Sequence, residues 1–225
     1  MQLFHGSKNI VENPLYGYGS VFNDYGLGFY CTESNELAKE WACPEPRNGF
    51  SNKYELDPND LRMLNLNGEG YNILNWLALL LINRHFIKRS PISVMGYDYI
   101  IENFMPDISG YDVIIGYRAD DSYFTYAKDF LNNTISVRQL LAAMKAGNLG
   151  EQVVLKTEKA FSKLSFISYE IADASIYYHK RKAREEKARL EYLVNRNSAY
   201  PVYEKDLFVR DIIFQKVKND DARIQ

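Results

Sequence analysis

Two short stretches near the N-terminus hold the residues best suited to chemistry: Gln2-Leu3-Phe4-His5-Gly6-Ser7 and Asp24-Tyr25-Gly26-Leu27-Gly28-Phe29-Tyr30-Cys31-Thr32. Gln2 to Phe4 read as a short edge strand, with His5-Gly6-Ser7 where the strand lets go. A glycine after a histidine lets a flat ligand approach the backbone, with an amide and a carbonyl exposed to it. In the second stretch, Gly26 and Gly28 supply turn conformations that a β-carbon resists, and Phe29 to Thr32 read as a strand. Alternation along that strand puts Tyr30 and Thr32 on one face and Phe29 and Cys31 on the other.

The ordered set of His-Gly-Ser, then Gly-x-Gly-Phe-Tyr-x-Thr, then Ala38-Lys39-Glu40-Trp41-Ala42 resembles the ADP-ribosyltransferase superfamily of the histidine–tyrosine–glutamate type. Within it, the chain looks most like a small bacterial group encoded near toxin–antitoxin loci. The resemblance implies NAD as substrate. His5 would hold the adenosine ribose, the Gly6 backbone the nicotinamide amide, and Tyr30 would stack on the nicotinamide ring, with Ser7 and Thr32 beside them in the NAD-binding set. It also implies a split, bent pair of small sheets with NAD in the crevice, and a macromolecular acceptor, either protein or nucleic acid. An antitoxin protein is an implied partner.

Breaking the bond between nicotinamide and ribose demands a bent, firmly held dinucleotide and a negative charge or acceptor beside the ribose. In the resembling superfamily a glutamate on a later strand does the last task. The nearest stretch here is Gly150-Glu151-Gln152-Val153-Val154. The strand pattern puts Gln152 at the third position and Glu151 on the opposite face, unless the strand begins at Val153 and Glu151 turns inward from a loop. A glutamine hydrogen-bonds a ribose hydroxyl but supplies no charge. Asp120 and Asp121, just past a β-branched run, are the other acids in view, as general base or as the N-cap of the next helix.

Other chemistries lack their residues. His5, His85 and His179 have no metal-ligand spacing, and Cys31 and Cys43 have no partner motif, so no metal is expected. There is no nucleophile elbow or phosphate-binding Gly-Lys-Ser/Thr loop, and Gly26-Leu27-Gly28 lacks the third glycine of a dinucleotide fingerprint. The chain has 225 residues and a formal net charge of −2, so no global field draws it to nucleic acid or an anionic membrane. No signal peptide is evident, and the apolar run Ile73 to Ile82 is about half the ~20 residues a bilayer span requires. A cytoplasmic protein with reduced thiols is the expectation.

The elements that must position these residues follow from periodicity. Residues 8 to 23 read as an irregular loop placed to cover a pocket. Ser34 caps a helix through Ala42, with Leu37, Trp41 and also Ala38 as candidates for its apolar stripe, ended by Pro44 and Pro46. Strands are expected over 50–56, 61–66, 111–117, 152–157 and 165–171, with a buried helix over 71–89. Arg84, His85, Lys88 and Arg89 would sit in that helix's last turns, with Ser90-Pro91 closing it. Short helices are expected at 98–105, 123–131 and 136–146. The irregular interleaving gives an α+β class. From Ser175 the sequence becomes a charged helix, then a last amphipathic helix, so residues 1–174 read as the NAD-binding domain and 175–225 as an appendage. That helix reads as solvated. Its cluster Lys180, Arg181, Lys182 and Arg184 has no obvious internal acid block, and is the alternative surface for a partner.

Overall fold

The computed structural model describes all residues except 87, 89, 120, 146–149, 198–205 and 225, and the side chains of 121–123 are also left aside. In chain order the elements are β1 (Gln2–Ser7), β2 (Phe29–Cys31), α1 (Asn35–Ala42), β3 (Gly49–Leu56), β4 (Met63–Asn65), α2 (Ile73–Asn83), α3 (Pro91–Phe104) and β5 (Val113–Tyr117). They continue with α4 (Asp121–Leu131), α5 (Val137–Lys145), β6 (Glu151–Leu155), α6 (Glu158–Ser162), β7 (Leu164–Ala172), α7 (Ala174–Asn197) and α8 (Val209–Phe214). The class is α+β.

Two compact units are built from interleaved segments. One comprises Met1–Asn65, Ile108–Arg118 and Leu149–Glu186; the other Leu66–Asp107, Ala119–Asn148 and Lys187–Gln225. The first contains every named strand. Its strands form two sheets, ordered β1-β3-β7 and β2-β6-β5-β4. β1 pairs antiparallel with β3 from Gln2↔Glu55 to Ser7↔Phe50, whereas β1 and β2 meet at a single bridge, Phe4↔Thr32. The core of the unit joins Leu3 and Leu56 of one sheet to Cys31, Val113, Val153 and Leu155 of the other.

β1 runs on through His5, Gly6 and Ser7, where a strand end was expected. Its continuation is fixed by β3, whose Asn52, Ser51 and Phe50 lie opposite these residues. Ser34 caps α1 as anticipated, accepting from the Leu37 N–H. Of the expected stripe only Ala38 is buried; the buried residues of α1 are Ala38, Glu40 and Ala42, while Leu37 and Trp41 are half-buried. The cause is close approach: a β-carbon on Gly6 would stand 2.0 Å from the Ala38 carbonyl oxygen, and one on Gly49 would stand 2.3 Å from that of Ala42. Two glycines in the sheet and two alanines in the helix let the backbones touch.

In the second unit, α2 is buried at every residue from Ile73 to Leu81, so no amphipathic face is visible in its sequence. Asn72 and Asn75 close a capping box at its start. The helix ends at Asn83, so His85 and Lys88 lie beyond its last turn and Arg84 is its C-cap. Ser90 and Pro91 open α3, with Ser90 as N-cap and proline in the first turn. A proline there loses no hydrogen bond, because the first N–H groups of a helix have no intrahelical acceptor.

Candidate functional site

The single β1–β2 bridge has a local cause. Phe4 donates to the Thr32 carbonyl at 2.8 Å and accepts from the Thr32 N–H at 2.9 Å. In a continued antiparallel ladder, the next pair facing each other would be Gly6 and Tyr30. The His5 side chain intervenes: its Nδ1 lies 2.7 Å from the Tyr30 carbonyl oxygen. Since a carbonyl only accepts, Nδ1 carries the proton and Nε2 is the acceptor of a neutral ring. The imidazole thus takes the acceptor that the Gly6 N–H would otherwise meet. Strand alternation turns the Gly6 N–H and C=O to the edge Phe4 uses for Thr32, one step past the bridge.

The His5 ring packs on Phe29, with centroids 4.4 Å apart. Burial pushes the His5 pKa below its ordinary value, and the bond to the Tyr30 carbonyl opposes that shift without cancelling it. Behind it, the fully buried Asn52 donates to the carbonyls of His5 and Asn9 and to Ser7 Oγ, and accepts from the Val11 N–H. Tyr54 donates to the Val11 carbonyl. These bonds fix where the loop leaves β1. Farther on, Leu15, Tyr18 and Phe22 are exposed.

Tyr30 lies opposite Val154 of β6, so Tyr30, Val154 and Gln152 share one sheet face. Its hydroxyl donates to the Gly26 carbonyl at 2.6 Å and accepts from the Tyr25 N–H at 3.1 Å. The Asp24–Leu27 turn is therefore built onto Tyr30. Lys156, whose pKa burial lowers, adds bonds to the Tyr25 and Leu27 carbonyls. Gly26 has φ +71°, as the expected turn requires. Gly28 is needed for space instead, since a β-carbon there would lie 2.7 Å from Val154 Cγ1.

Gln152 is only 5% exposed and donates through Nε2 to Asp24 Oδ2 at 2.8 Å. Asp24 is itself 3% exposed. Glu151 begins β6 on the opposite face, exposed, opposite Tyr117, whose hydroxyl pKa rises through burial first and the Glu151 charge second. Thr32 is buried and accepts from the Ser34 N–H at the entry to α1. Asp120 lies outside the described residues; Asp121 is the first residue of α4, and its side chain is not described.

The structure therefore brings His5, Gly6, Tyr30 and Thr32 to the split, places Gln152 one strand away on β6, and sets Glu151 on the opposite face of that strand. Sequence reasoning missed Asp24 and Asn52. An amide in the otherwise apolar strand Gln152-Val153-Val154-Leu155 was the available signal, since a buried polar side chain requires a partner. The basic cluster of α7 is corrected. Lys180 pairs with Glu36, Arg184 with the buried Glu40, and Arg181 and Lys182 with Glu185. Acids of α1, distant in sequence, answer Lys180 and Arg184, and Glu185 of α7 itself answers Arg181 and Lys182.

Burial pushes the Cys31 and Cys43 thiols up, away from thiolate. Among the described residues, no three of His, Cys, Asp or Glu gather as metal ligands, and no helix is long and apolar enough to cross a membrane. Residues 1–166 match the family model described as Protein of unknown function (DUF3990), and the chain belongs to that family. No curated protein and no solved structure matches the chain.

Proposed function

We propose that this member of the DUF3990 family is an NAD-dependent mono-ADP-ribosyltransferase acting on a macromolecular acceptor, as the toxic partner of a bacterial toxin–antitoxin or phage-defence pair. The observation that carries the reading is the split beside His5. A primary carboxamide needs one acceptor for its N–H and one donor for its C=O. The Gly6 backbone offers both on one edge, at a residue whose side chain is excluded by Ala38. The Nε2 atom of the neutral His5 suits a ribose hydroxyl, and the Tyr30 ring stands on the flanking strand. Two buried free thiols accord with a cytoplasmic setting.

In the proposed reaction, the bond from ribose C1′ to the pyridinium nitrogen breaks with its electron pair going to nitrogen, which releases neutral nicotinamide. The oxocarbenium-like ribose then takes a lone pair from the acceptor, whose proton passes to a base sought among Glu151, Asp120 and Asp121. Gln152, in place of a glutamate, favours a second reading: a degenerate fold member that binds NAD or a protein without turnover. Hydrolysis with water as acceptor is the remaining variant.

The test is calorimetric titration with NAD, then incubation with labelled NAD and cell extract, followed by protease or nuclease digestion. A stacked aromatic contributes about 0.5–1.5 kcal/mol beyond its buried area, so Tyr30→Ala should weaken NAD binding several-fold in a folded protein. Unchanged affinity in that variant removes the stacking role. A wild type that binds no NAD removes the whole reading.

A further inference from the structure

We infer that Asp24 is a positioning residue of this site, which turns the carbonyl oxygen of Gln152 toward a sugar hydroxyl; the inference rests on the NAD reading above. A primary amide has a donor end and an acceptor end, and it can present either by rotating about its last bond. An ionised carboxylate only accepts. With Nε2 held 2.8 Å from Asp24 Oδ2, the amide has one permitted orientation, and Oε1 is its other end. Both side chains are almost fully buried, which makes a reversed amide, oxygen against oxygen, costly.

Placement supports the same assignment. Gln152 precedes Val154 by two residues, on the face that carries Tyr30, and continuing the β2–β6 register one step past Cys31↔Val153 sets Gln152 opposite Thr32, the residue bridged to Phe4. A fixed acceptor therefore stands one strand from the split. Asp24 belongs to the turn built onto Tyr30, so one segment sets both the ring and the amide. An acceptor held beside the ribose hydroxyl tightens ground-state binding and draws charge onto that oxygen as the C1′ bond breaks.

The experiment is a cycle of Asp24→Asn, Gln152→Ala and the double variant, read by NAD affinity and by the rate of nicotinamide release. An asparagine can present either end to Gln152, so the amide is no longer fixed. Asp24→Asn should weaken NAD binding about tenfold, the scale of one well-made hydrogen bond. The double variant should bind NAD no worse than Gln152→Ala alone, because the effect of Asp24 on the ligand passes through Gln152. The swap Asp24→Asn with Gln152→Glu keeps a donor facing an acceptor and returns an oxygen to the third position, so it should restore binding. Additive losses in the cycle, or Asp24→Asn at wild-type affinity in a folded protein, overturn the inference while the NAD reading stands. Absence of NAD binding by the wild type overturns both.

Discussion

The two edges of β1 are made of the same six residues and behave oppositely. Toward β3 every residue from Gln2 to Ser7 has a partner, while toward β2 the strand pairs once, at Phe4. The difference does not lie in strand propensity, since one backbone serves both edges. It lies in what each side chain does: His5 takes the Tyr30 carbonyl, and Gly6 lets α1 close against the sheet. An open edge inside a folded unit costs unmade hydrogen bonds. Here it is kept open by a specific side chain, next to a paired edge that is tightly packed.

The largest expected effect comes from breaking the support of the closed side. Arg184 makes two bonds to Glu40, at 2.7 and 2.8 Å, and Glu40 is a buried residue of α1. Arg184→Ala leaves that carboxylate buried without its cation, a change that costs about 3–5 kcal/mol in comparable pairs. Chemical denaturation of the variant should show a loss of that order. A loss below about 1 kcal/mol would make the pair equivalent to an ordinary surface ion pair and the α1–α7 contact incidental.

Gly6→Ala tests the point where the two edges share one residue. The added β-carbon meets backbone, not a flexible side chain, so α1 or β1 must shift, at about 1–3 kcal/mol or more. Gly49→Ala forces a similar clash against Ala42 but lies on β3, away from the split. Both should lower the denaturation midpoint, and Gly6→Ala alone should also weaken NAD binding at permissive temperature. Equal effects on NAD would show that Gly6 serves only the helix contact.

How much of this was readable in the sequence depends on range. The cap at Ser34, the central strand at Val113 to Tyr117 and the opposite facing of Glu151 and Gln152 follow from local preference and a period of two. The histidine was legible as a chemical residue, but not as the group that parts two strands, because its acceptor is a backbone carbonyl 25 residues away. Glu40 with Arg184 and Asp24 with Gln152 are separated by 144 and 128 residues. No periodicity encodes such pairs. Pro91 misled for a different reason: the same residue ends one helix or starts the next, and only the N-cap geometry of Ser90 decides.

The smallest expected effect is a pH dependence, and it bears most directly on the open edge. Burial favours the neutral imidazole of His5, so its folded pKa lies below the ordinary 6.5. As pH falls through that value, the unfolded chain takes up a proton before the folded one does. The stability contributed by the neutral ring is therefore complete above the ordinary value and declines below it, down to the folded pKa. Binding changes in the same direction for a separate reason: protonated Nε2 becomes a donor and can no longer accept from a ribose hydroxyl. NAD affinity and denaturation midpoint measured from about pH 8 to pH 5 should both fall on the acid side, and His5→Asn, which does not titrate, should flatten the part of each curve that belongs to His5. An acid-side decline of unchanged slope in His5→Asn would assign the effect to other groups and leave the imidazole a spacer between strands, with no acceptor role toward the ligand.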